Sequence, residues 1–266
     1  MLTTALGLLG LLACSDDTAL SPPRAAGEAG APGTTAAAPA RVLLYSKETE
    51  WFHTSTPVAA QVMVERGRAR GWTVTATKES AIFTPEGLRG FDVVVFLISS
   101  GKTLDESQRG AFASWVAAGH GWAGAHAASH TDYDWVFMRD LVGASFLGHP
   151  PIMEANALLD APDDPIVAHL PKVWTRTDEW YTFDRRPELD PNVRVLLSLD
   201  ETSARPDYPG PNLPAALRVG AHPITWKQNF GATRSFYTGM GHTVESWQDE
   251  AFVTMMVNGI EWAASR

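Results

Sequence analysis

The chain has 266 residues, 45% hydrophobic and 19% charged, a composition that fits one good-sized globular domain. Its net charge is −9 and no Lys/Arg cluster is present, which argues against a nucleic-acid partner. Asp16, Asp17 and Glu28 against Arg24 give residues 15–40 a net charge of −2, leaving −7 for the rest, so a neutral or cationic small ligand is favoured over a polyanion.

Residues 2–13 (LTTALGLLGLLA) are apolar but too short to span a bilayer, and they end at the sole cysteine, Cys14. Leu11-Leu12-Ala13-Cys14 resembles a bacterial lipobox, in which the cysteine is acylated; no basic residue precedes it, and the alternative is a frayed apolar N-terminus. With one cysteine there is no internal disulfide. Residues 15–40 are rich in Ala, Pro, Gly, Ser and Thr without periodicity, the composition of a disordered linker. The expected organisation is a leader at 1–14, a linker at 15–40 and one domain at 41–266. The expected location is the cell envelope, lipid-anchored or secreted, with the membrane reached through the anchor alone.

In the domain, strands alternate with helices. Residues 41–45 are a near-continuous apolar run, as in a strand buried on both faces. Ser55-Thr56-Pro57 supplies N-cap and first-turn signals for a helix with Val58, Val62 and Met63 inward, closing near Gly71. Residues 72–76 and 92–97 read as the second and third strands. Thr103-Leu104-Asp105-Glu106 reads as a capping box, opening a helix with Phe112, Trp115 and Val116 on one face. Gly119 closes that helix, and the small-residue run 122–125 follows as a buried strand. Further strands are expected at 153–159, 193–199, 222–226 and 234–238, the last two as a hairpin across 229–233. Phe252, Met256, Ile260 and Ala263 recur at helical spacing after Asp249. Such alternation predicts an α/β fold, a mostly parallel sheet with helices on both faces and ligands bound beyond the carboxyl ends of the strands.

At that edge Gly124-x-His126-x-Ala128 has the small-x-X-x-small form of a nucleophile elbow, with His126 in the lifted position. That excludes an ordinary acyl-transfer nucleophile there. It places His126 unshielded at the ligand edge, because Ala125 and Ala127 carry no bulk; a packed histidine at a strand end is the other reading.

The runs GAHAASHTDYDW, LVGASFLGHP, TDEWYTF, HPITW and RSFYTGMGHT, in this order, resemble the ThuA-like (trehalose utilisation) family over roughly residues 41–264. The resemblance implies a class I glutamine amidotransferase-like fold, a flavodoxin-like three-layer sandwich. It also implies bacterial carbohydrate utilisation, including trehalose and 3-keto-disaccharides, with sugar dehydrogenase or hydrolase partners. Where a polar Asn/Thr loop is expected after the third strand, this chain has Ile98-Ser99-Ser100.

His126, His149, His222 and His242 each have Gly or Pro beside or two residues from them, and Glu179 or Asp178 would complete an N/O set for Zn²⁺ or another divalent metal. No contiguous motif such as HExxH supports this, and for each histidine taken alone a structural hydrogen-bonding role is the favoured reading; only the set as a group points to one polar site. His126, Glu179 and Asp178 are the catalytic candidates, the carboxylates as acid or base. Trp180, Tyr181, Trp135, Arg234 and His53 are the candidates for binding a small carbohydrate. A sugar-processing enzyme (hydrolase, lyase or isomerase) and a non-catalytic carbohydrate-binding module both fit. A glutaminase does not, since the only cysteine is Cys14.

Overall fold

A computed structural model of the chain describes residues 40–203 and 222–265. The leader, Cys14 and the linker as far as residue 39 lie outside the described residues. The first half carries β1 (Arg41–Tyr45), α1 (Thr56–Ala69), β2 (Thr73–Thr77), α2 (Pro85–Leu88), β3 (Val93–Leu97), α3 (Glu106–Ala117), β4 (Gly121–Ala125) and α4 (Val136–Val142). The second half carries β5 (Phe146–Gly148), β6 (Met153–Leu159), β7 (Val173–Asp178), β8 (Thr182–Phe183), β9 (Val193–Asp200), β10 (Pro223–Phe230), β11 (Thr233–Thr238), α5 (Val244–Gln248) and α6 (Glu250–Ala264).

Among the described residues nine strands form one sheet, in the order β2-β1-β3-β4-β11-β10-β9-β6-β7. From β2 to β11 every neighbour is parallel. From β11 onward every pairing is antiparallel. The fold is the expected α/β three-layer sandwich. β3 and β4 are buried at every position, as strands covered on both faces must be. Phe96 of β3 stacks on Phe112 of α3 at 5.4 Å, and Gly259 of α6 lies against the Phe236 ring of β11.

Two helix signals resolve differently from the expectation. α3 begins two residues later: the capping box is Asp105 with Gln108, each side chain bonded to the other's backbone N–H. Thr103 is turned inward instead, its hydroxyl donating to the buried Asp132 carboxylate at 2.8 Å. In α1 the buried row is Thr56, Ala59, Met63 and Gly67, while Val58 and Val62 are only partly buried. Gly67 sits so close to Trp72 and Val74 that any side chain there would clash, which fixes the Thr56–Ala59–Met63–Gly67 face, not the valine face, against the sheet.

The antiparallel extension matters for function. Four reversals from β11 return β7 to the direction of β1, β3, β4 and β11, so the residues after β7 emerge at the same edge as the ends of the parallel strands. The small β5–β8 sheet forms beside that edge.

Candidate functional site: a histidine cluster at the strand edge

The elbow forms at the end of β4. Ala125 is extended, His126 has φ +52°, and a short 3₁₀ turn runs from His126 to His130. A left-handed residue other than glycine costs about 1–3 kcal/mol and persists only where its surroundings enforce it. Here the Tyr237 hydroxyl donates to the His126 carbonyl at 2.8 Å. Small neighbours are a steric need: a Cβ on Gly124 would come within 2.3 Å of the Trp122 ring and 3.0 Å of Ala128.

The His126 ring is not open to solvent as the small flanking residues led us to expect; it is fully buried. Its neighbours in space, not in sequence, shield it. Nδ1 lies 2.9 Å from the Gly239 carbonyl. A carbonyl only accepts, so Nδ1 carries the proton and Nε2 is the bare nitrogen. The Tyr181 hydroxyl donates to Nε2 at 2.9 Å. Burial pushes the imidazole below its usual pKa, which keeps it neutral.

Around this ring three strand ends converge. His53, from the loop after β1, and His242, from the loop after β11, lie with ring centroids 5.0 Å from that of His126 and 5.2 Å from each other. One donor atom from each of the three histidines falls within 4.8 Å of the other two. Glu179, two residues before Tyr181 in the loop after β7, adds a carboxylate: Oε2 is 3.1 Å from His242 Nδ1 and 3.4 Å from His126 Nε2, and Oε1 is 3.1 Å from His149 Nδ1. Burial raises the cost of its charge, but its contacts with the His126 and His242 rings, His242 Nδ1–H donating, outweigh this and hold the carboxyl far below its usual range. The same carboxylate overcomes the burial of His242 and holds its imidazole above the usual value.

Behind these residues stands a layer that orients them. Glu48 Oε1 accepts from His53 Nδ1 at 2.9 Å, from the His53 backbone N–H and from the Thr56 hydroxyl, which leaves His53 Nε2 for the cavity. An acceptor behind each ring nitrogen is the usual arrangement around metal-binding histidines. Asp178 is fully buried and does not reach the cavity. It accepts from the backbone N–H groups of Gly241, His242 and Glu179 at 2.9–3.0 Å, from Ser246, and from Arg176. It is therefore the residue that sets where His242 and Glu179 stand, not an acid or base.

The remaining expectations divide cleanly. Tyr181, His149 and His53 line a cavity of about 150 Å³ with Glu179 and His242. One water needs roughly 10–15 Å³ on this measure, so the space takes a small organic ligand. His222 is outside the cluster: Nε2 meets the Tyr181 carbonyl at 2.9 Å and Nδ1 meets Glu201 at 2.7 Å, so it supports the Tyr181 backbone and ligates nothing in the cavity. Trp180 faces away, fully buried, with its indole N–H on the Met153 carbonyl. Trp135 packs on Phe137 at 4.8 Å and beneath Arg109, at the start of α4. Arg234 lies at the start of β11, just after Thr233, at the opposite edge of the sheet, and bonds Trp262 and Ser265. A strand's start cannot share a site with its end. Conversely, Glu48, Phe52, His130 and Phe146 belong to the site or its support without having been expected there. Their one sequence signal is position: Glu48 to Phe52 directly follow the first strand.

The family profile described as "Trehalose utilisation" matches residues 41–263. The chain belongs to the ThuA family. Solved structures agree on the fold of this ThuA chain. A protein of Bacteroides uniformis described as ThuA-like superimposes with a TM-score of 0.70 at 23% identity, covering 88% of this chain and 95% of that one. A second, from Parabacteroides merdae, gives 0.67 at 20% identity over 86% and 91%. No curated protein matches the chain.

Proposed function

We propose that this ThuA chain is a divalent-metal-dependent enzyme that processes a small carbohydrate, with His53, His126 and His242 holding the metal and Glu179 serving as acid or base. The observation that carries the reading is the convergence of three imidazole donors within 4.8 Å, with the ionised Glu179 beside them. The donor chemistry fits: three imidazoles, His53 backed by Glu48 and His126 by the Gly239 carbonyl, with one carboxylate are a Zn²⁺-type set. A bound ion would supply Lewis acidity toward an oxygen of the ligand. His126 presents its bare Nε2 to the centre, Tyr181 supplies a hydroxyl donor at that atom, and His149 closes the far side of Glu179. The family's description and the aromatic lining of the cavity support a saccharide as ligand. Cys14 would hold the protein at the cell envelope.

One observation favours a binding module instead: His126 and Glu179 already have protein partners at every polar atom, so the site is satisfied without an ion. Elemental analysis of the full chain, purified with added Zn²⁺, Mn²⁺ or Ni²⁺, separates the two. About one equivalent of metal, lost in His53→Ala and His242→Ala, is expected. Metal content that never rises above trace leaves the binding module.

A further inference from the structure

Two of the largest apolar side chains in the domain stand in water. Trp51 is 59% exposed and Phe52 is 78% exposed. Both line the same cavity as Glu179, Tyr181 and His242. Their exposure does not come from a slack loop. Ser100 bonds Trp51 twice, its Oγ accepting from the Trp51 N–H at 3.2 Å and donating to the Trp51 carbonyl at 2.7 Å. The Ser100 carbonyl takes the Thr49 N–H at 2.9 Å, and Glu48 takes the His53 N–H at 2.8 Å, so the backbone is pinned on both sides of the two rings. The loop after β3 fits against this one only because residue 101 is glycine: with φ +76°, its absent Cβ would stand 2.3 Å from Thr49 Oγ1. Ser100 and Gly101 thus serve as the buttress of the β1 loop.

We propose that Trp51 and Phe52 form a stacking platform for the outer pyranose ring of an oligosaccharide whose inner ring sits against Glu179 and the histidine cluster; this rests on the carbohydrate reading above. Aromatic faces are electron-rich and complement the C–H face of a pyranose, while the ring hydroxyls remain in water at such an exposed rim. A rigidly held platform loses little freedom on binding. From Trp51 ring neighbours run inward through His130 at 6.5 Å, Phe146 at a further 5.6 Å and Tyr181 at 4.3 Å, so the rim is continuous with the wall of the cavity. Two rings at the rim of a cavity are too few for a protein partner, which needs about 800 Å² on each side.

The test is calorimetric titration of the full-length parent, Trp51→Ala, Phe52→Ala and the double variant with trehalose, maltose, cellobiose and glucose. The parent should bind at least one disaccharide more tightly than glucose. Each substitution should weaken that disaccharide up to about tenfold, the double variant should bind it no better than glucose, and Zn²⁺ uptake should match the parent's. A double variant that binds the disaccharide as the parent does, while Glu179→Gln loses it, overturns the platform and leaves the carbohydrate reading standing. A parent that binds none of these sugars overturns both.

Discussion

At the residue scale the site depends on one strained, buried histidine and one buried carboxylate. His126 is bonded through both ring nitrogens and sits at φ +52° with no exposed surface. Replacing it by alanine leaves a void and orphans the Tyr181 hydroxyl and the Gly239 carbonyl. We expect His126→Ala to lower stability by about 2–4 kcal/mol in urea unfolding, besides losing metal. His149, whose side chain is 37% exposed, is the internal control, and His149→Ala should change stability by less than about 0.5 kcal/mol. Equal effects of the two substitutions would count against the burial of His126. Asp178→Ala should cost about 3–5 kcal/mol, since it strips Arg176, itself buried, of a charge partner and frees the Gly241 and His242 N–H groups.

At the element scale, the start of α3 shows how a local signal is reassigned by a distant contact. Thr103 and Asp105 are both competent caps. Thr103 is taken by Asp132, which also receives Arg109, so Asp105 caps the helix. Asp105→Ala should therefore cost about 1 kcal/mol as a lost N-cap. Thr103→Ala should cost about 1–3 kcal/mol for a different reason, an unsatisfied buried carboxylate oxygen. A double mutant of Thr103 and Asp105 should be additive within about 0.5 kcal/mol, because no bond joins the two side chains. Circular dichroism with urea unfolding reads all three.

On the scale of the whole molecule, a metal that binds the folded cluster alone must stabilise the entire domain. At Zn²⁺ concentrations near a hundred times its dissociation constant the gain is about 2.7 kcal/mol, which raises the melting temperature by about 5–10 °C for a domain of this size. Chelation with EDTA should reverse the rise, and His53→Ala and His242→Ala should show none. A melting temperature indifferent to both Zn²⁺ and EDTA would remove the metal from the proposal. The anchor is tested separately: Cys14→Ser should move the protein from the membrane to the soluble fraction, and unchanged membrane association would refute acylation at that residue.

What the sequence determined by itself were the features with short-range causes. The apolar runs of β1 and β3, the small residues around His126 and the helical spacing after Asp249 state their structure locally, because backbone sterics and burial act on neighbouring residues. The elbow was legible for that reason, and so was the place of His53 at a strand edge; β7 (Val173–Asp178) was not expected, so the position of Glu179 and Tyr181 was not legible. Tertiary structure alone decided which histidines meet. His222 and His53 look alike as sequence, one beside proline and one in a polar loop. Yet parallel β1, β4 and β11 seat His53, His126 and His242 together, and the four antiparallel reversals carry β7 and Glu179 back to the same edge, leaving His222 behind Tyr181. Burial of the His126 ring was hidden for the same reason: its cover comes from Tyr181 and Gly239, 55 and 113 residues away, and no local pattern encodes a contact at that distance.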